Sequence, residues 1–370
     1  MMINCRVGLT NAHDHLEQFS MRGIGDGLTL EKWLESGIRR ETKQMSPVDA
    51  FLAYASGLIS AAQHGVSCTH HLHKQTQSID YIRVLILAAH ILGVRLVIFR
   101  SWRDSGSYGE TAKDAFIHLD RLSDLESRGL IKLGLGIGSL WNCSDAGLRE
   151  VAIMAKDRGM PIQAHVAETS KEREDSILKF RTTPIRRLAR AGLLSPQTEL
   201  VHAIHLDEEE WSIVNESGSK IVHCPSSNLL LRSGDFNIIE ASKRCIPMGV
   251  GTDGAASSIY SGPLQEALLA VCLARRFDSE EKPFTMKYGL SLVTNPIIWD
   301  CEFFSDRLED RVEYSVNTMA SDPDDLLGTA PYTVSSLEVQ GQTVVKDGRV
   351  APDKISAILK AWEDPRLCER

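Results

Sequence analysis

The sequence predicts an α/β fold, a (β/α)8 barrel of the TIM type with a reduced β appendage at its C-terminal end. Between residues 6 and 276, short β-rich runs alternate with amphipathic helical stretches, a rhythm typical of parallel sheets. Eight such runs can be counted, the number that closes a barrel of about 250 residues. An open doubly wound sheet is the rival fold, but it usually has a glycine-rich first turn, and none follows Ala12.

The strands and helices can be placed in order along the chain. The predicted strands are Val7–Ala12, Val66–His71, Val94–Phe99, Ile131–Ile137, Pro161–Val166, Glu199–Ile204, Lys220–Cys224 and Met248–Thr252. Ser46-Pro47-Val48-Asp49 combines an N-cap residue, a first-turn proline and an early carboxylate, which predicts a helix start. Gly65 is expected to end that helix before the second strand. We expect a barrel domain over residues 1–325 and a C-terminal β-hairpin with a short helix over 326–370, with Asp347-Gly348 as the turn.

The composition limits the classes of protein and partner. The chain has 370 residues, of which 43% are hydrophobic and 24% charged, and its net charge is -8. It therefore has no excess of basic residues to neutralise nucleic-acid phosphates. Apolar runs such as Val84–Ala89 are too short to span a membrane, and the N-terminus lacks the apolar stretch of a signal peptide. Eight scattered cysteines without a C-x-x-C pair disfavour a zinc ribbon and a disulfide framework. We expect a cytoplasmic protein that binds neither nucleic acid nor membranes.

Polar side chains stand at the ends of five predicted strands, where the active site of a βα barrel is built. They are Asn11-Ala12-His13-Asp14-His15, His165-Val166-Ala167-Glu168, Val201-His202, His223-Cys224-Pro225-Ser226-Ser227-Asn228 and Gly251-Thr252-Asp253-Gly254. Strand side chains alternate between faces, so His13 and His15 share a face and can bind one ion. A lone histidine on a strand is usually a core residue, and an H-x-H pair alone is weak evidence for a metal. Five polar strand ends in barrel order favour a functional site.

This ordered set resembles the amidohydrolase superfamily, and the resemblance runs from about residue 6 to 275. Within the superfamily it is similar to the mononuclear aminohydrolase and chlorohydrolase branch, which holds guanine, cytosine and S-adenosylhomocysteine deaminases and the triazine hydrolases. The resemblance implies that His13, His15, His165 and Asp253 hold one divalent metal ion, zinc by preference. Three imidazoles and one carboxylate also suit iron(II), and the affinity order does not choose between the two.

The resemblance also implies catalytic roles. Asp253 would take a proton from the attacking water, and Glu168 would move a proton to the ring nitrogen and then to the leaving group. His202 would hydrogen-bond the substrate or the water. The implied reaction is deamination of a small purine, pyrimidine, pterin or triazine by hydroxide, with loss of ammonia. Amide or halide hydrolysis by the same site is the alternative. A non-catalytic barrel is disfavoured, because it has no reason to keep the complete set of His13, His15, His165, Glu168, His202 and Asp253.

Substrate contacts are expected at three further positions. Gln18 lies in the pattern H-x-H-x-x-Q, which resembles guanine deaminases, where that glutamine touches the purine. Trp102 and Trp141 follow the third and fourth strands, where the walls of a pocket would be. The run Thr69–His73 could form a second metal cluster, but pocket-lining or solvated imidazoles are the simpler interpretation.

Several features depart from the pattern of the relatives. Gly138 stands where nucleoside-type deaminases often have a histidine. Met1–Arg6 is expected to be too short to supply the β-sandwich strands that precede the barrel in relatives, so that the C-terminal appendage would be a remnant of that sandwich. The helix that closes the barrel in relatives is not evident in Thr285–Asp310. An unpaired strand within Val339–Val350 is then expected, covered by a second subunit in a homodimer or by Ile355–Trp362.

Overall fold

The computed structural model describes residues 2–5, 7–106, 108–259, 262–277, 284–316 and 332–367. In these residues the strands are β1 (Met2–Cys5), β2 (Leu9–His15), β3 (Val66–His73), β4 (Arg95–Ser101), β5 (Ile131–Ile137), β6 (Ile162–Val166), β7 (Thr198–His202), β8 (Lys220–His223), β9 (Met248–Val250), β10 (Asp253–Gly254), β11 (Arg311–Val316), β12 (Tyr332–Val339), β13 (Gln342–Lys346) and β14 (Arg349–Val350). The α-helices are α1 (Leu30–Trp33), α2 (Arg39–Gln44), α3 (Pro47–Gln63), α4 (Asp80–Leu92), α5 (Ala112–Asp120), α6 (Asp145–Asp157), α7 (Ser170–Phe180), α8 (Pro184–Ala191), α9 (Glu208–Ser217), α10 (Pro225–Leu230), α11 (Ile238–Lys243), α12 (Pro263–Ala274), α13 (Met286–Asp300) and α14 (Pro352–Trp362).

The eight predicted barrel strands are confirmed, each within three residues at either end. They form a parallel sheet in the order β10-β2-β3-β4-β5-β6-β7-β8-β9. The predicted helix start at Ser46 is a capping box, in which Ser46 Oγ accepts from the Asp49 N–H at 3.2 Å. Gly65 follows that helix in the left-handed region, with φ of +83°. The sequence pattern therefore placed the frame of the barrel correctly.

The barrel closes through an eighth strand that is broken into two pieces. β9 pairs with β8, whereas β10 pairs with β2, so that the sheet returns to its first strand. Gly251 lies at the break, where a β-carbon would come within 2.6 Å of His13 Cβ, which explains the glycine. The Thr252 N–H donates to Asn11 Oδ1 at 3.0 Å across the same seam. This closure brings Asp253 beside the histidines of β2.

The segment after α12 closes the end of the barrel at which the parallel strands begin. α13 occupies the region in which the sequence had revealed no closing helix, and that expectation was wrong. Trp299 packs inside the barrel with Ala12, Val201 and Val222, and Phe304 packs there with Cys68, Val97 and Phe99. Arg307 Nη2 donates to the carbonyl of Gly8, just before β2, at 2.7 Å. Because Arg307 contacts the start of β2, the segment 299–310, called the plug below, lies at the N-terminal ends of the strands, away from the predicted site.

The plug is held by buried charges. Arg307 Nε donates to Asp300 Oδ2 at 3.0 Å, and Arg307 Nη1 donates to Asp310 Oδ2 at 3.1 Å. Arg95, the first residue of β4, binds Asp310 through two nitrogens at 2.9 Å each. All four side chains are fully buried. Such an arrangement is tolerated because every charge has a partner.

A five-stranded antiparallel sheet in the order β1-β11-β12-β13-β14 lies beside the barrel. β1 pairs with β11, with Ile3 opposite Tyr314, and β12 lies between β11 and β13. The expectation that the sheet has no N-terminal partner was therefore wrong, because Met2–Cys5 contributes one short strand. Within Val339–Val350, β13 lies between β12 and β14, and β14 is an edge strand of the sheet. β1 is short and its partner lies about three hundred residues further along the chain, so no local pattern announces the pairing. The predicted domain boundary at 325/326 falls outside the described residues, although β1 and β11 lie on the barrel side of it.

The C-terminal helix covers part of the barrel's outer layer. α14 packs against α3 and α4 and buries Ile358 and Ala361. In the described part of the chain, none of the helices combines the length and the apolar character needed to cross a membrane.

Candidate metal centre

Three histidines and one aspartate converge at the C-terminal ends of the barrel strands. His13 Nε2 lies 3.1 Å from His165 Nε2 and 3.4 Å from Asp253 Oδ1, and His15 Nε2 lies 3.5 Å from the same Asp253 oxygen. Four ligands at the usual zinc distances of about 2.0–2.1 Å would stand about 3.3–3.4 Å apart at the corners of a tetrahedron. The four side chains are thus spaced as the ligands of one small ion would be.

The hydrogen bonds of the three rings fix where their protons lie. Each ring uses its Nδ1–H for a carbonyl oxygen: His13 donates to Gln163 Oε1 at 2.7 Å, His15 to Leu72 O at 2.9 Å and His165 to Gly138 O at 3.3 Å. The three Nε2 lone pairs therefore point towards one another, and His15 Nε2 is buried without a hydrogen-bond partner. Burial lowers the pKa of His15 and of His165, as does the nearby charge of Lys74, so both rings are neutral. Mutually facing lone pairs fit a cation at their centre.

Asp253 is held so that one carboxylate oxygen faces the histidines. Its Oδ2 accepts from Ser227 Oγ at 2.6 Å and from Ser257 Oγ at 3.2 Å. Its backbone is in the left-handed region, with φ of +56°. Burial opposes ionisation of Asp253, but the contacts with His13 and His15 outweigh it and hold the pKa well below its usual range. The donor set, three imidazoles and a carboxylate, fits zinc or iron(II).

Glu168 and His202 flank the four converging atoms without joining them. Glu168 Oε1 accepts from Ser233 Oγ at 3.2 Å, and Glu168 Oε2 lies 3.7 Å from His202 Nε2. His202 Nδ1–H donates to Asn228 Oδ1 at 2.9 Å, and Asn228 Nδ2 donates to His223 Nδ1 at 3.3 Å. Burial raises the pKa of Glu168. His223 thus orients Asn228, which in turn orients His202 towards Glu168.

A chain of buried polar side chains runs from His13 into the barrel interior, and the sequence analysis missed it. Gln163 Nε2 donates to Glu199 Oε2 at 2.7 Å and to the Ala12 carbonyl at 3.0 Å, so its Oε1 must face His13. His70 then links Glu199, at 3.1 Å from its Nδ1, to Asp300, at 2.7 Å from its Nε2. The available signal was position: Gln163 lies two residues before His165 and so on the same face of β6.

The run Thr69–His73 does not form one metal cluster, because alternation along β3 divides its histidines. His70 points into the barrel and has both ring nitrogens engaged by Glu199 and Asp300. Burial opposes the charge of His70, but these two carboxylates outweigh it and raise its pKa. Cys68, His70 and Asp300 lie close enough to hold an ion, yet a charged His70 offers it no lone pair.

His71 and His73 occupy the opposite face of β3, beneath Tyr54 of α3. His71 Nδ1 accepts from the Leu16 N–H at 3.2 Å, His71 Nε2–H donates to His73 Nδ1 at 3.3 Å, and His73 Nε2–H donates to Gln75 O at 2.9 Å. Burial lowers the pKa of His73 to about 3. Both rings are therefore neutral packing residues rather than solvated or pocket-lining ones.

The three expected substrate contacts have different surroundings. Gln18 is buried against Gly254, and its Oε1 has no hydrogen-bond partner, so it remains available. Trp102 is buried in the core between strands and helices, and its indole N–H donates to the Glu110 carbonyl at 3.2 Å. Trp141 is half exposed, and Lys179 Nζ lies 3.8 Å from its ring centre. Trp102 is thus a packing residue of the core rather than the wall of a pocket.

Known proteins similar to this chain include two named deaminases. The chain is 32% identical over 283 residues to a protein of Saccharophagus degradans named 5-methylthioadenosine/S-adenosylhomocysteine deaminase, a match that covers 74% of this chain and 61% of that protein. It is 29% identical to a protein of Methanothermobacter thermautotrophicus named 5'-deoxyadenosine deaminase, which covers 72% of this chain and 61% of that protein. The matched part therefore spans less than two thirds of these relatives.

Solved structures share the fold. An atrazine chlorohydrolase of Arthrobacter aurescens complexed with zinc has a TM-score of 0.86 at 24% identity, covering 98% of this chain and 87% of that one. An adenosine deaminase of Xanthomonas campestris with bound zinc has a TM-score of 0.78 at 22% identity, covering 98% of this chain and 86% of that one. A family model described as the amidohydrolase family matches residues 7–294. That range contains every residue of the candidate metal centre, and the chain belongs to the amidohydrolase family.

Proposed function

We propose that the protein is a metal-dependent hydrolase that deaminates a nitrogen heterocycle with release of ammonia. The observation that carries this proposal is that the Nε2 atoms of three histidines and one oxygen of Asp253 surround a common point, with Glu168 close by. The names of the similar deaminases support the reaction class and favour a purine. Pyrimidines, pterins and triazines remain in the range to be tested.

We take the ion to be zinc, held by His13, His15, His165 and Asp253. Neutral imidazoles and a carboxylate at tetrahedral spacing are usual zinc ligands, and two similar solved structures hold zinc. When bound, the ion lowers the pKa of a water molecule to about 7 and so supplies a nucleophile at neutral pH.

The chain's own residues move the protons. Asp253 accepts a proton from the water that attacks the amino-bearing carbon. Burial raises the pKa of Glu168, so its carboxyl group holds a proton more readily than a solvent-exposed one and can give it to the adjacent ring nitrogen. A carbon–oxygen bond forms, and Glu168, now deprotonated, takes the remaining hydroxyl proton of the adduct and gives it to the amino group. The carbon–nitrogen bond then breaks with loss of ammonia, and the proton held by Asp253 returns Glu168 to its protonated state. His202 donates its Nδ1–H to Asn228, so its Nε2 can accept a hydrogen bond from the nucleophile.

A screen for ammonia release tests the proposal. The zinc-loaded protein is incubated with purines, pyrimidines, pterins and triazines, and its metal content is measured in the same sample. We expect about one ion per chain, since four ligands define one site. Activity should be lost on chelation and restored by zinc. Two tightly held ions per chain, or ammonia release that is unaffected by removal of the metal, would contradict the proposal. The homodimer and the cytoplasmic location stay predictions from the sequence.

A further inference from the structure

We propose that Lys74 binds an anionic group of the substrate, so that the heterocycle carries a carboxylate. This inference rests on the proposed function, because it assigns the substrate class of the same site. Four features of Lys74 support it: its path across the barrel, its position among the charges of the metal centre, its lack of an anionic partner, and the space that Gly138 leaves for it.

Lys74 follows the last residue of β3, and its side chain extends across the mouth of the barrel. A β-carbon at Gly138 would lie 3.6 Å from Lys74 Cε, although Gly138 follows β5 and the whole of β4 separates the two strands. The side chain must therefore cross the end of β4. Gly138 is also the residue whose carbonyl accepts the Nδ1–H of His165, so Lys74 passes beside the support of a metal ligand.

The ammonium group lies within the electrostatic field of the site. Its charge interacts with Asp253, Glu17 and Glu168, which come from three different segments of the chain. The same charge lowers the pKa of His15 and of His165. Lys74 therefore interacts electrostatically with two of the converging histidines and with the carboxylates around them, so its charge also reaches a substrate bound there.

Lys74 has no anionic partner in the described part of the chain. No carboxylate oxygen there lies within 4.0 Å of its ammonium nitrogen, and no hydrogen bond is formed by that nitrogen. Lys74 is half-buried, and its partial removal from water lowers the pKa of its ammonium group. Partial desolvation of a charge without a partner is costly, and such groups are concentrated at functional sites. With a divalent cation bound, the ion and Lys74 carry three positive charges, which balance Asp253, Glu17 and Glu168 when all three carboxylates are ionised. Among these groups Lys74 is the cation that has no carboxylate within ion-pair distance in the described residues, so it can contact an anionic group of the substrate.

The absence of a side chain at Gly138 makes this path possible. A β-carbon there would be in ordinary contact with Lys74, but any longer side chain would compete for the same space. We infer that Lys74 and Gly138 together shape the part of the pocket that receives the anionic group.

A structural role for Lys74 is the rival explanation. Glu17 is buried, neither of its oxygens has a hydrogen-bond partner, and burial raises its pKa to about 7 although Lys74 lowers it. Lys74 could serve only to offset the charge of Glu17. The two explanations differ in their effects on ligand discrimination and on stability.

The first experiment measures binding of matched ligands to the zinc-loaded protein by calorimetry. The pairs are uracil with orotate and pterin with pterin-6-carboxylate, which differ by one carboxylate. Uracil and orotate have no amino group, so their binding does not depend on turnover. We expect the carboxylated member of at least one pair to bind about 10- to 100-fold more tightly, the usual effect of one charge-assisted hydrogen bond.

Variants then assign that preference to a residue. Lys74→Met should abolish the preference, Lys74→Arg should keep part of it, and Lys32→Met, a control at an exposed lysine of α1, should leave it unchanged. The proposal is wrong if no carboxylated ligand binds more tightly than its neutral partner. It is equally wrong if the preference survives in Lys74→Met, as it would if the carboxylate bound only the zinc.

Thermal unfolding tests the structural role. If Lys74 only offsets Glu17, Lys74→Met lowers the unfolding temperature, adding Glu17→Gln restores it, and the ligand preference is the same in all three proteins. That result overturns the proposal. If Lys74→Met loses the preference and Glu17→Gln does not restore it, the recognition role stands. A preference that depends on Lys74 in a protein that releases ammonia from no heterocycle would refute the proposed function alone.

Discussion

Glu168 and His165 are only three residues apart, yet they differ in what they can do. His165 ends a strand, and its Nε2 lies 3.1 Å from that of His13. Glu168 lies in the loop beyond the strand, where its carboxyl group accepts a hydrogen bond from Ser233 Oγ and lies 3.7 Å from His202 Nε2. The backbone N–H of Glu168 donates to Glu172 Oε2 at 2.8 Å, which fixes the loop. This difference fits the roles proposed above, His165 as a metal ligand and Glu168 as the group that moves a proton.

Replacement of each residue should separate these two roles. We expect Glu168→Gln to keep the metal and to lower turnover about 100- to 10,000-fold, because it removes proton transfer and no ligand. His165→Ala should lose both metal and activity. Elemental analysis and ammonia release measure the two quantities on the same samples. Loss of the metal from Glu168→Gln to the same extent as from His165→Ala would show that the roles are assigned wrongly.

The sequence could predict the residues that meet at the strand ends, because the barrel topology alone brings those ends together. It could not predict which way a side chain turns after a strand. Trp102 and Trp141 both follow strands, but one is buried in the core and the other is half exposed. Gln163 was missed because a polar residue on the inward face of a strand gains meaning only when its neighbours, Glu199 and His13, are known.

At the level of elements, β6 and β7 contribute the buried hydrogen-bond partners that orient His13 at the candidate metal centre. Gln163 on β6 accepts from His13 and donates to Glu199 on β7, so it fixes both the orientation and the tautomer of His13. The register of the two strands makes this possible, since Gln163 pairs directly with Glu199. An outer partner of this kind typically contributes about 10- to 100-fold to metal affinity.

We therefore expect Gln163→Leu to weaken zinc binding by about that factor while the barrel stays folded. Without an acceptor at this position, the His13 ring can rotate or change tautomer. Competition with a chelator measures the affinity, and urea unfolding of the metal-free variant separates it from a loss of stability. Gln44→Leu, at an exposed glutamine of α2, is the matched control. Equal chelator competition in the wild-type protein and Gln163→Leu would exclude a role for Gln163 in metal binding.

Over the whole molecule, the two ends of the barrel are stabilised differently. The C-terminal edge has buried polar atoms without partners, such as His15 Nε2 and Gln18 Oε1, as expected where an ion and a substrate bind. At the other end, Arg307 is bound to both Asp300 and Asp310. The sequence revealed neither this plug nor β1, because both depend on contacts between residues far apart in the chain.

Removal of the charge at the centre of the plug should destabilise the protein strongly. We expect Arg307→Met to lower the free energy of unfolding by about 3–5 kcal/mol, since it removes one of the two cationic partners of each of the buried carboxylates Asp300 and Asp310. Arg366→Met breaks an exposed pair with Asp364 and should cost about 0–1 kcal/mol. Urea unfolding of both variants provides the comparison. Similar midpoints for the two would mean that the plug does not stabilise the barrel.

Glu266 should make stability fall as the pH rises. Its carboxyl group is fully buried and accepts from the Ser226 N–H at 3.0 Å and from Ser258 Oγ at 3.1 Å. Burial raises its pKa from 4.5 to about 7, which these hydrogen bonds only partly oppose. The folded state therefore binds its proton more tightly than the unfolded state. The resulting stabilisation is complete below about pH 4.5 and is lost as the pH rises through about 7.

Glu266→Gln removes this dependence while keeping an acceptor for the Ser226 N–H. Because one pKa unit corresponds to about 1.4 kcal/mol, the variant should gain up to about 3 kcal/mol relative to the wild-type protein between pH 4.5 and 8. Urea unfolding at several pH values measures the difference between the two proteins, in which the contributions of other titrating groups cancel. Glu216→Gln, at an exposed carboxyl group, is the control. If the curves of the wild-type protein and Glu266→Gln run parallel from pH 4.5 to 8, the buried carboxyl group does not titrate in this range, and its raised pKa is refuted.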